Sequence, residues 1–288
     1  MGEVSWPPLY TLPLEKLALW WAIGLAVAIA FQTVMFLIGR ARRRYDIVDV
    51  GWGLSFIVLA WTWWLLANDD WPMFGAWDAW PVVVMVSVWG IQLSLYIGKR
   101  FLASSHEDAR YVELRKKWRS HSARTIYIKI FLLQALLASV IALPVYLIIA
   151  QSRHSAGLMS SDNAVPIWIG LLMWLVGLLT EVIADRQLRR HIADSRTRGT
   201  TCMTGLWKYS RHPNYFGELL MWWGIGCLGF VFSWEGACLG LIGPALLTYL
   251  IVYVSGIPPA EARAAKRADW KDYAKRTSVL IPWPPSRG

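Results

Sequence analysis

The stretch "GLWKYSRHPNYFGELLMWWG", residues 205–224, changes from basic and polar to apolar at Pro213. Proline suits the first turn of a helix, so the sequence predicts a helix that begins here. Asn214 and Glu218 then lie at i and i+4 on one face of an otherwise apolar helix. A carboxylate one turn into such a helix raises the question of what it binds, and the answer depends on whether the helix enters a membrane.

The composition indicates a membrane protein. Of the 288 residues, 56% are hydrophobic, 20 are tryptophan and only 17% are charged, whereas soluble proteins have about 25% charged residues. Apolar runs of about 20 residues, the length that spans a bilayer, recur along the chain. We predict an all-α integral membrane protein with one domain over 1–288 and a cytoplasmic C-terminal helix at 258–276. Its seven transmembrane helices are predicted at about 17–39, 50–67, 81–98, 126–150, 165–184, 214–233 and 236–256.

The distribution of basic residues predicts the orientation. The linkers alternate between basic ones, such as 99–124 and 185–213, and ones such as "NDDWPMFGAWDAW" that contain no Lys or Arg. Only Lys16 and Arg153 of the 29 Lys and Arg residues fall on the poorly basic side. The positive-inside rule therefore predicts the N-terminus outside and the C-terminus in the cytoplasm, which an odd number of spans also requires. We read the first span as retained rather than as a signal peptide, because "GRARRR" follows it without a small-residue cleavage site.

Several motif classes are not expected to carry function. The three cysteines and five histidines have no metal-ligand spacing, so we predict no metal and no disulfide framework. The run "GIGCLG", residues 224–229, fits the dinucleotide pattern but lies inside an apolar span without a preceding strand. We interpret it as a close contact between helices, where missing side chains let backbones approach.

Ionisable residues at membrane depth are costly and are therefore functional candidates. They fall at the cytoplasmic ends of four spans, and each group also has a simple structural interpretation, such as pairing at the interface or an ion-pair ladder. The four groups are Asp46 and Asp49; Tyr96 and the polar run after it, including Arg110; Glu181, Asp185 and Arg189; and Arg211, His212, Asn214 and Glu218.

The C-terminal tail adds a further basic surface. Arg263, Arg267 and Trp270 share a face of the predicted helix, which either lies on lipid or covers a polar cavity. Together the polar groups suit a large ligand with phosphates and an amide, and NADPH has both. A carboxylate at Glu218 can accept from the carboxamide NH₂, and Asn214 can donate to its C=O. Arg211 and His212 stand at a helix N-terminus, which favours an anion.

Three segments, "EVIADRQLRRH", "GLWKYSRHPNYFGE" and "DWKDYAKRTSVLIPW", resemble the steroid 5α-reductase family, and the chain looks like a bacterial member. The resemblance is strongest from Gly170 onward and weaker from Asp46 to Arg110. It implies a seven-helix membrane reductase that uses NADPH to reduce the Δ4 double bond of a 3-oxo steroid. We accordingly expect a monomer in the bacterial inner membrane, with lipid and an apolar steroid-like substrate from the bilayer as partners and no nucleic acid.

The resemblance also implies roles for individual residues. Tyr96 stands where the family has its catalytic tyrosine, and Asp49 stands near the place of a glutamate that partners it, although the adjacent family glutamine is missing here. The residues that the resemblance implies to bind the cofactor are Asn214, Glu218, Arg110, Asp185, Arg189, Arg198 and Tyr273, with Arg198 shifted by one or two positions from its family counterpart. The residue patterns described above add Arg211, His212 and Arg263 to this predicted set. Tyr96 would donate a hydrogen bond to the carbonyl oxygen on which negative charge develops.

Two other functional classes remain open at this point. A membrane methyltransferase of the isoprenylcysteine carboxyl methyltransferase type shares the "Y-x-R-H-P-x-Y" stretch and would bind S-adenosylmethionine instead. A lipid-binding scaffold without catalytic activity is the other alternative, but it would leave Asn214, Glu218 and Asp185 buried without purpose.

Orientation is testable by cysteine labelling in a variant that lacks the three native cysteines. Cysteines placed in "NDDWPMFGAW" should react with an impermeant thiol reagent added from outside, and cysteines placed in "RKKWRSHSAR" should not. Equal labelling of both sets from the same side would contradict the arrangement.

Overall fold

The structure is a computed structural model that describes residues 13–68, 79–118, 122–152 and 164–286. Within these ranges the regular elements are helices, and the only β-type pairing is an isolated parallel bridge between Ser210 and Ser278. Residues 69–78 of the second linker and Arg153, both used to predict the orientation, lie outside the described residues.

The helices follow the apolar runs of the sequence. The α-helices are α1 (Leu14–Arg42), α2 (Ile47–Asn68), α3 (Trp80–Ala103), α4 (Ala109–Lys116), α5 (Ala123–Ile126), α6 (Leu133–Ile141), α7 (Leu143–Ser152), α8 (Ala164–Ala193), α9 (Pro213–Leu228), α10 (Trp234–Gly240), α11 (Ile242–Tyr249), α12 (Ile257–Ala264) and α13 (Trp270–Arg276). Short π-helical segments at Tyr127–Leu132 and Leu250–Val254 join α5 to α6 and follow α11.

Six helical stretches of the described chain are long and apolar enough to cross a membrane. They are Leu14–Arg42, Ile47–Asn68, Trp80–Ala103, Ala123–Ile141, Ala164–Ala193 and Trp234–Ala264. The prediction of an all-helical protein with membrane-spanning character is therefore confirmed. The number of seven spans and the orientation of the termini stay predictions.

Three predicted spans differ from the helices observed. The one predicted at 236–256 is divided at Leu241, since α10 ends at Gly240 and α11 begins at Ile242. The one predicted at 214–233 is α9, which has 16 residues and passes into a 3₁₀ turn at Gly229–Val231. At 1.5 Å per residue α9 is about 24 Å long, shorter than the roughly 30 Å hydrocarbon core. The one predicted at 126–150 is interrupted at Ala142, just before Pro144, because proline lacks the N–H that continues the helical hydrogen bonding.

The chain forms two compact units. Unit 1 comprises the described residues within Met1–Ile167 and Leu228–Gly243, and unit 2 comprises those within Trp168–Cys227 and Pro244–Gly288. In unit 1, α2 and α3 pack closely where two glycines face each other: a Cβ on Gly53 would lie 2.6 Å from the carbonyl oxygen of Gly90. Phe56 and Trp89 are buried beside this contact with ring centroids 5.3 Å apart.

Unit 2 is built on a similarly close pair, α8 and α9. A Cβ on Gly217 would lie 2.5 Å from the carbonyl oxygen of Gly177 and 2.6 Å from the backbone nitrogen of Glu181. About two turns further along α9, a Cβ on Gly224 would lie 2.7 Å from the carbonyl oxygen of Gly170. Gly224 opens the "GIGCLG" run, so the interpretation of that glycine as a helix contact is confirmed. The glycines let α9 approach the backbone of α8.

The C-terminal tail of unit 2 consists of two short helices rather than the single helix predicted at 258–276. α12 ends at Ala264 and α13 begins at Trp270. Between them the Asp269 carboxylate accepts hydrogen bonds from the backbone N–H of Thr201 at 2.8 Å and from its hydroxyl at 2.7 Å. These bonds fix Asp269 beside Thr201, and the chain between α12 and α13 is not helical there.

The last described residues run beside the loop that precedes α9. Arg211 donates its backbone N–H to the Ser278 carbonyl at 2.8 Å, and Trp283 donates to the Tyr209 carbonyl at 2.9 Å. The Ser210 hydroxyl donates to the Leu280 carbonyl at 2.7 Å. The apolar "VLIPW" segment thereby fixes the basic loop on which α9 begins.

We expect Gly217→Ala to destabilise unit 2, because its Cβ would meet backbone atoms that cannot turn away. Overpacking of this kind costs about 1–3 kcal/mol, which thermal unfolding in detergent measures. Gly98→Ala is the matched control, because its Cβ would lie 3.7 Å from Val50, an ordinary contact. Equal melting temperatures for the two variants would contradict the close packing of α8 and α9.

Candidate functional site

The polar face of α9 lies against two buried carboxylates of α8. Glu181 and Asp185 are one turn apart on α8 and are only 3% and 2% exposed. Asn214, Gly217 and Glu218 share the opposing face of α9, because residues three and four apart project from one side of a helix. The missing side chain at Gly217 brings these polar groups to the α8 backbone.

The amide of Asn214 has a defined direction. Its Nδ2 donates a hydrogen bond to Asp185 Oδ1 at 3.2 Å. Its Oδ1 is buried and has no hydrogen-bond partner among the described residues. The sequence predicts that Asn214 donates to a ligand, but a carboxylate can only accept, so the NH₂ turns to Asp185 and the carbonyl is left available.

Glu218 lies within electrostatic reach of Asp185. The resulting set in unit 2 presents carboxylate and carbonyl oxygens in a mostly apolar helix pair. No three His, Cys, Asp or Glu side chains in the described ranges are grouped so that they could hold a metal ion. Because carboxylate and carbonyl oxygens accept hydrogen bonds, the set fits a ligand group with N–H or O–H donors.

Arg211 and His212 precede α9 in unit 2, and one carboxylate contacts both. Arg211 Nη1 lies 3.0 Å from Glu261 Oε1, and His212 Nε2 lies 3.2 Å from the same oxygen. The His212 ring also stacks on Tyr215 with centroids 5.4 Å apart. Burial lowers the pKa of His212 below its ordinary value, although the bond to Glu261 acts in the opposite direction.

Tyr273 binds the backbone of the basic loop that precedes α9. Its hydroxyl donates to the carbonyl of Trp207 at 2.6 Å and lies 3.2 Å from that of Ser210. The Trp207 indole donates in turn to the Ala184 carbonyl of α8 at 3.0 Å. The predicted contact of Tyr273 with a cofactor stays a prediction, and its observed bonds are to the backbone of the basic loop.

In unit 1, Asp49 and Arg110 form the centre of a second polar network. Arg110 Nη2 lies 2.6 Å from Asp49 Oδ2 and 2.9 Å from Asp108 Oδ2. The buried Tyr111 hydroxyl donates to Asp49 Oδ1. Burial raises the pKa of Asp108, but hydrogen bonds from Arg110 outweigh burial and leave that pKa lowered. The network ties the loop after α3 to the start of α2.

A second pair of carboxylates strengthens the same loop. Asp46 bonds Arg44 at 2.9 Å and accepts from the Asp108 backbone N–H at 3.1 Å, and Glu107 pairs with Arg115. A pocket of about 180 Å³ opens here. Its lining residues are Arg44, Asp46, Asp49, Ile97, Arg100, Phe101, Ser104, His106, Glu107 and Asp108.

The remaining predicted residues lie in both units. Tyr96 of α3 is partly buried in unit 1, next to Ile97 of the pocket. Arg189, Arg198 and Arg263 are exposed in unit 2. The structure brings Asn214, Glu218 and Asp185 together, and separately Arg211 and His212, and it brings Asp49 to Arg110.

Sequence reasoning missed three partners. Glu261 binds both Arg211 and His212, Tyr111 binds Asp49, and Asp108 shares Arg110. Tyr111 and Asp108 lie within two residues of Arg110 in the sequence, and this closeness could have indicated that they belong to the same network. Glu261 is an isolated acid in a basic tail, and nothing in its local sequence identifies its partners.

The family model of DUF1295, a protein family of unknown function, matches residues 35–277. The mouse 3-oxo-5-alpha-steroid 4-dehydrogenase 1 is 29% identical over 119 residues, which is 40% of this chain and 41% of that protein. The human protein of that name is 28% identical over 120 residues, 40% of each chain. These similarities confirm the resemblance to the steroid 5α-reductase family.

An uncharacterised protein of Schizosaccharomyces pombe, C594.04c, is 28% identical over 187 residues, 54% of this chain and 52% of that protein. The matches thus span about two fifths of the steroid dehydrogenases and about half of the fission yeast protein. No solved structure matches.

The lowered pKa of His212 predicts a pH dependence. The unfolded chain takes up a proton near the ordinary histidine pKa of about 6.5, where the folded chain resists it, so acidification through that range destabilises the fold. One such group contributes at most about 1.4 kcal/mol per pH unit. Lowering the pH from about 7.5 to about 5.5 should therefore lower the melting temperature more in the native protein than in His212→Gln. Identical pH profiles would contradict the burial of a neutral His212.

Proposed function

This chain belongs to the DUF1295 family, and we propose that it is a membrane-embedded, NADPH-dependent reductase of an enone C=C bond. The substrate is a 3-oxo-Δ4 steroid or a similar flat apolar lipid that enters from the bilayer. The proposal is supported by the partial similarity to proteins named 3-oxo-5-alpha-steroid 4-dehydrogenase 1. It places the protein in the cytoplasmic membrane of a bacterium as a monomer.

The observation that carries the proposal is the buried, unsatisfied carbonyl oxygen of Asn214. A buried polar atom without a partner costs about 1–3 kcal/mol, and a ligand that donates a hydrogen bond to it would remove that cost. The oxygen stands on the same face of α9 as Glu218, whose carboxylate is a second acceptor. The NH₂ of a nicotinamide carboxamide has two hydrogens to offer to these two acceptors.

The basic residues of unit 2 supply the positive charge that the phosphate groups of NADPH would need. Arg211 and His212 immediately precede α9, whose N-terminal N–H groups favour an anion. Arg189, Arg198 and Arg263 are exposed and can add positive charge for phosphate groups. Arg110 of unit 1 stays in the proposed set, with its Nε and Nη2 already bonded to carboxylates.

NADPH supplies the hydride that reduces the double bond. The chain would supply binding, orientation and a hydrogen bond at the substrate carbonyl. We propose that Tyr96 gives that bond, because a donor placed where negative charge develops lowers the barrier. Asp49 is its proposed partner. Arg110 and Tyr111 hold the Asp49 carboxylate in position, which suits an orienting group.

The roles of Glu218 and Tyr96 can be separated by experiment. Glu218→Ala removes a charged acceptor and should weaken NADPH binding by about ten- to a hundredfold, the equivalent of 1.5–3 kcal/mol. Tyr96→Phe should leave NADPH binding nearly unchanged and lower turnover of a 3-oxo-Δ4 steroid by about a hundredfold or more. Calorimetry and product analysis in detergent measure the two effects.

Matched controls are available for both variants. Glu235→Ala and Tyr253→Phe remove the same groups from exposed positions and should alter neither quantity. Weaker NADPH binding in Tyr96→Phe together with unchanged binding in Glu218→Ala would reverse the two assignments. Stabilisation of the native protein by S-adenosylmethionine but not by NADPH would contradict the reductase and favour the methyltransferase.

A further inference from the structure

We infer that Asp185 is a positioning residue that makes this site select N–H donors, by holding the amide of Asn214 with its carbonyl toward the ligand. The inference rests on the proposed function, since it concerns the group of NADPH that Asn214 and Glu218 would bind. It extends that function to a property of the site: the ligand is recognised through its NH₂ and not through its C=O.

The argument begins with the direction of the Asn214 side chain. An asparagine amide can offer either NH₂ or C=O to a ligand, and its neighbours decide which. Here the neighbour is the Asp185 carboxylate, 2% exposed, whose Oδ1 accepts from Asn214 Nδ2 at 3.2 Å. If the Asn214 amide were turned the other way, its carbonyl oxygen would face the carboxylate oxygen of Asp185, and two acceptors would meet. Asp185 therefore excludes that orientation of the amide.

The second step concerns what remains for a ligand. Asn214 Oδ1 is buried without a hydrogen-bond partner in the described chain. Glu218, one turn further along α9, adds a carboxylate, which when ionised is an acceptor only. The described residues contain no group of His, Cys, Asp and Glu that could hold a metal ion here. The complementary ligand is a neutral or positive group that donates hydrogen bonds, and within NADPH the carboxamide NH₂, with its two N–H bonds, is such a group.

A primary amide meets this requirement, and two close relatives of it do not. A methyl ketone keeps the carbonyl but has no N–H to donate. A carboxylate has no N–H either and adds a negative charge beside Glu218 and Asp185. Sites built to hydrogen-bond an N–H reject analogues that lack it, because their own buried polar groups are then left unpaired.

The experiment measures dissociation constants by calorimetry for NADPH and for two analogues in which the carboxamide is a methyl ketone or a carboxylate. In the native protein we expect the ketone to bind at least about tenfold more weakly than NADPH, and the carboxylate more weakly still. A ketone that binds as tightly as NADPH would overturn the inference, because the site would then read the carbonyl.

Asp185→Asn tests the positioning role directly. An asparagine at this position can donate its own NH₂ to Asn214 Oδ1, which frees the Asn214 NH₂ to face the ligand. The preference for NADPH over the ketone should then fall by about tenfold, since the ketone gains a donor. A residue that only stabilised the fold would weaken both ligands alike and leave their ratio unchanged.

Asp194→Asn is the matched control. It removes the same charge just beyond α8, from a carboxylate that pairs with Arg196 at 2.7 Å. It should leave the ratio unchanged, and equal ratios in the two variants would overturn the inference. If Asp185→Asn does not fold, the analogue series in the native protein still decides. Absence of NADPH binding to the native protein would overturn the proposed function as well, whereas equal binding of the ketone overturns this inference alone.

Discussion

The close approach of α8 and α9 is the contact on which the candidate site depends. Gly177 and Gly217 have no side chains, so each helix reaches the backbone of the other. Asn214 then lies within hydrogen-bond reach of Asp185, and Glu218 within its electrostatic influence. At the separation of helices with larger side chains these polar groups would not meet. They would be buried apart, which is costly at membrane depth.

The carboxylates of the two units have different partners. In unit 1 the Asp49 carboxylate is bonded by the Arg110 guanidinium and the Tyr111 hydroxyl. In unit 2 one of the bonds to Asp185 comes from the amide of Asn214, and the carbonyl oxygen of that amide has no partner among the described residues. The first arrangement is typical of a network that fixes a loop. The second leaves an acceptor for a ligand, which is why the proposed contacts with the nicotinamide amide are in unit 2.

The sequence predicted much of the fold because apolar length and glycine placement are local signals. It located most of the long apolar helices, the start of α9 at Pro213 and the helix contact at Gly224. It did not predict that α9 stops after 16 residues or that the tail breaks between α12 and α13. The break depends on Asp269 binding Thr201, and sixty-eight positions separate these residues.

In the candidate site, too, local spacing was predictable and contacts between distant residues were not. Helical spacing predicted that Asn214 and Glu218 share a face, but not which way the amide of Asn214 turns, because Asp185 decides that from another helix. Likewise the sequence marked Arg211 and His212 as an anion site without Glu261, which holds both. Side-chain pairing between distant segments is a tertiary property, and local spacing along the chain does not assign it.

The most direct test of the account is the fate of the hydride. NADPH deuterated at the transferable position of nicotinamide C4 would be incubated with the detergent-solubilised protein and a 3-oxo-Δ4 steroid, and the product would be examined by mass spectrometry. The account predicts a saturated 3-oxo product in which the carbon β to the carbonyl carries the deuterium. Reduced product without deuterium, or steroid returned unchanged while NADPH is bound, would contradict it.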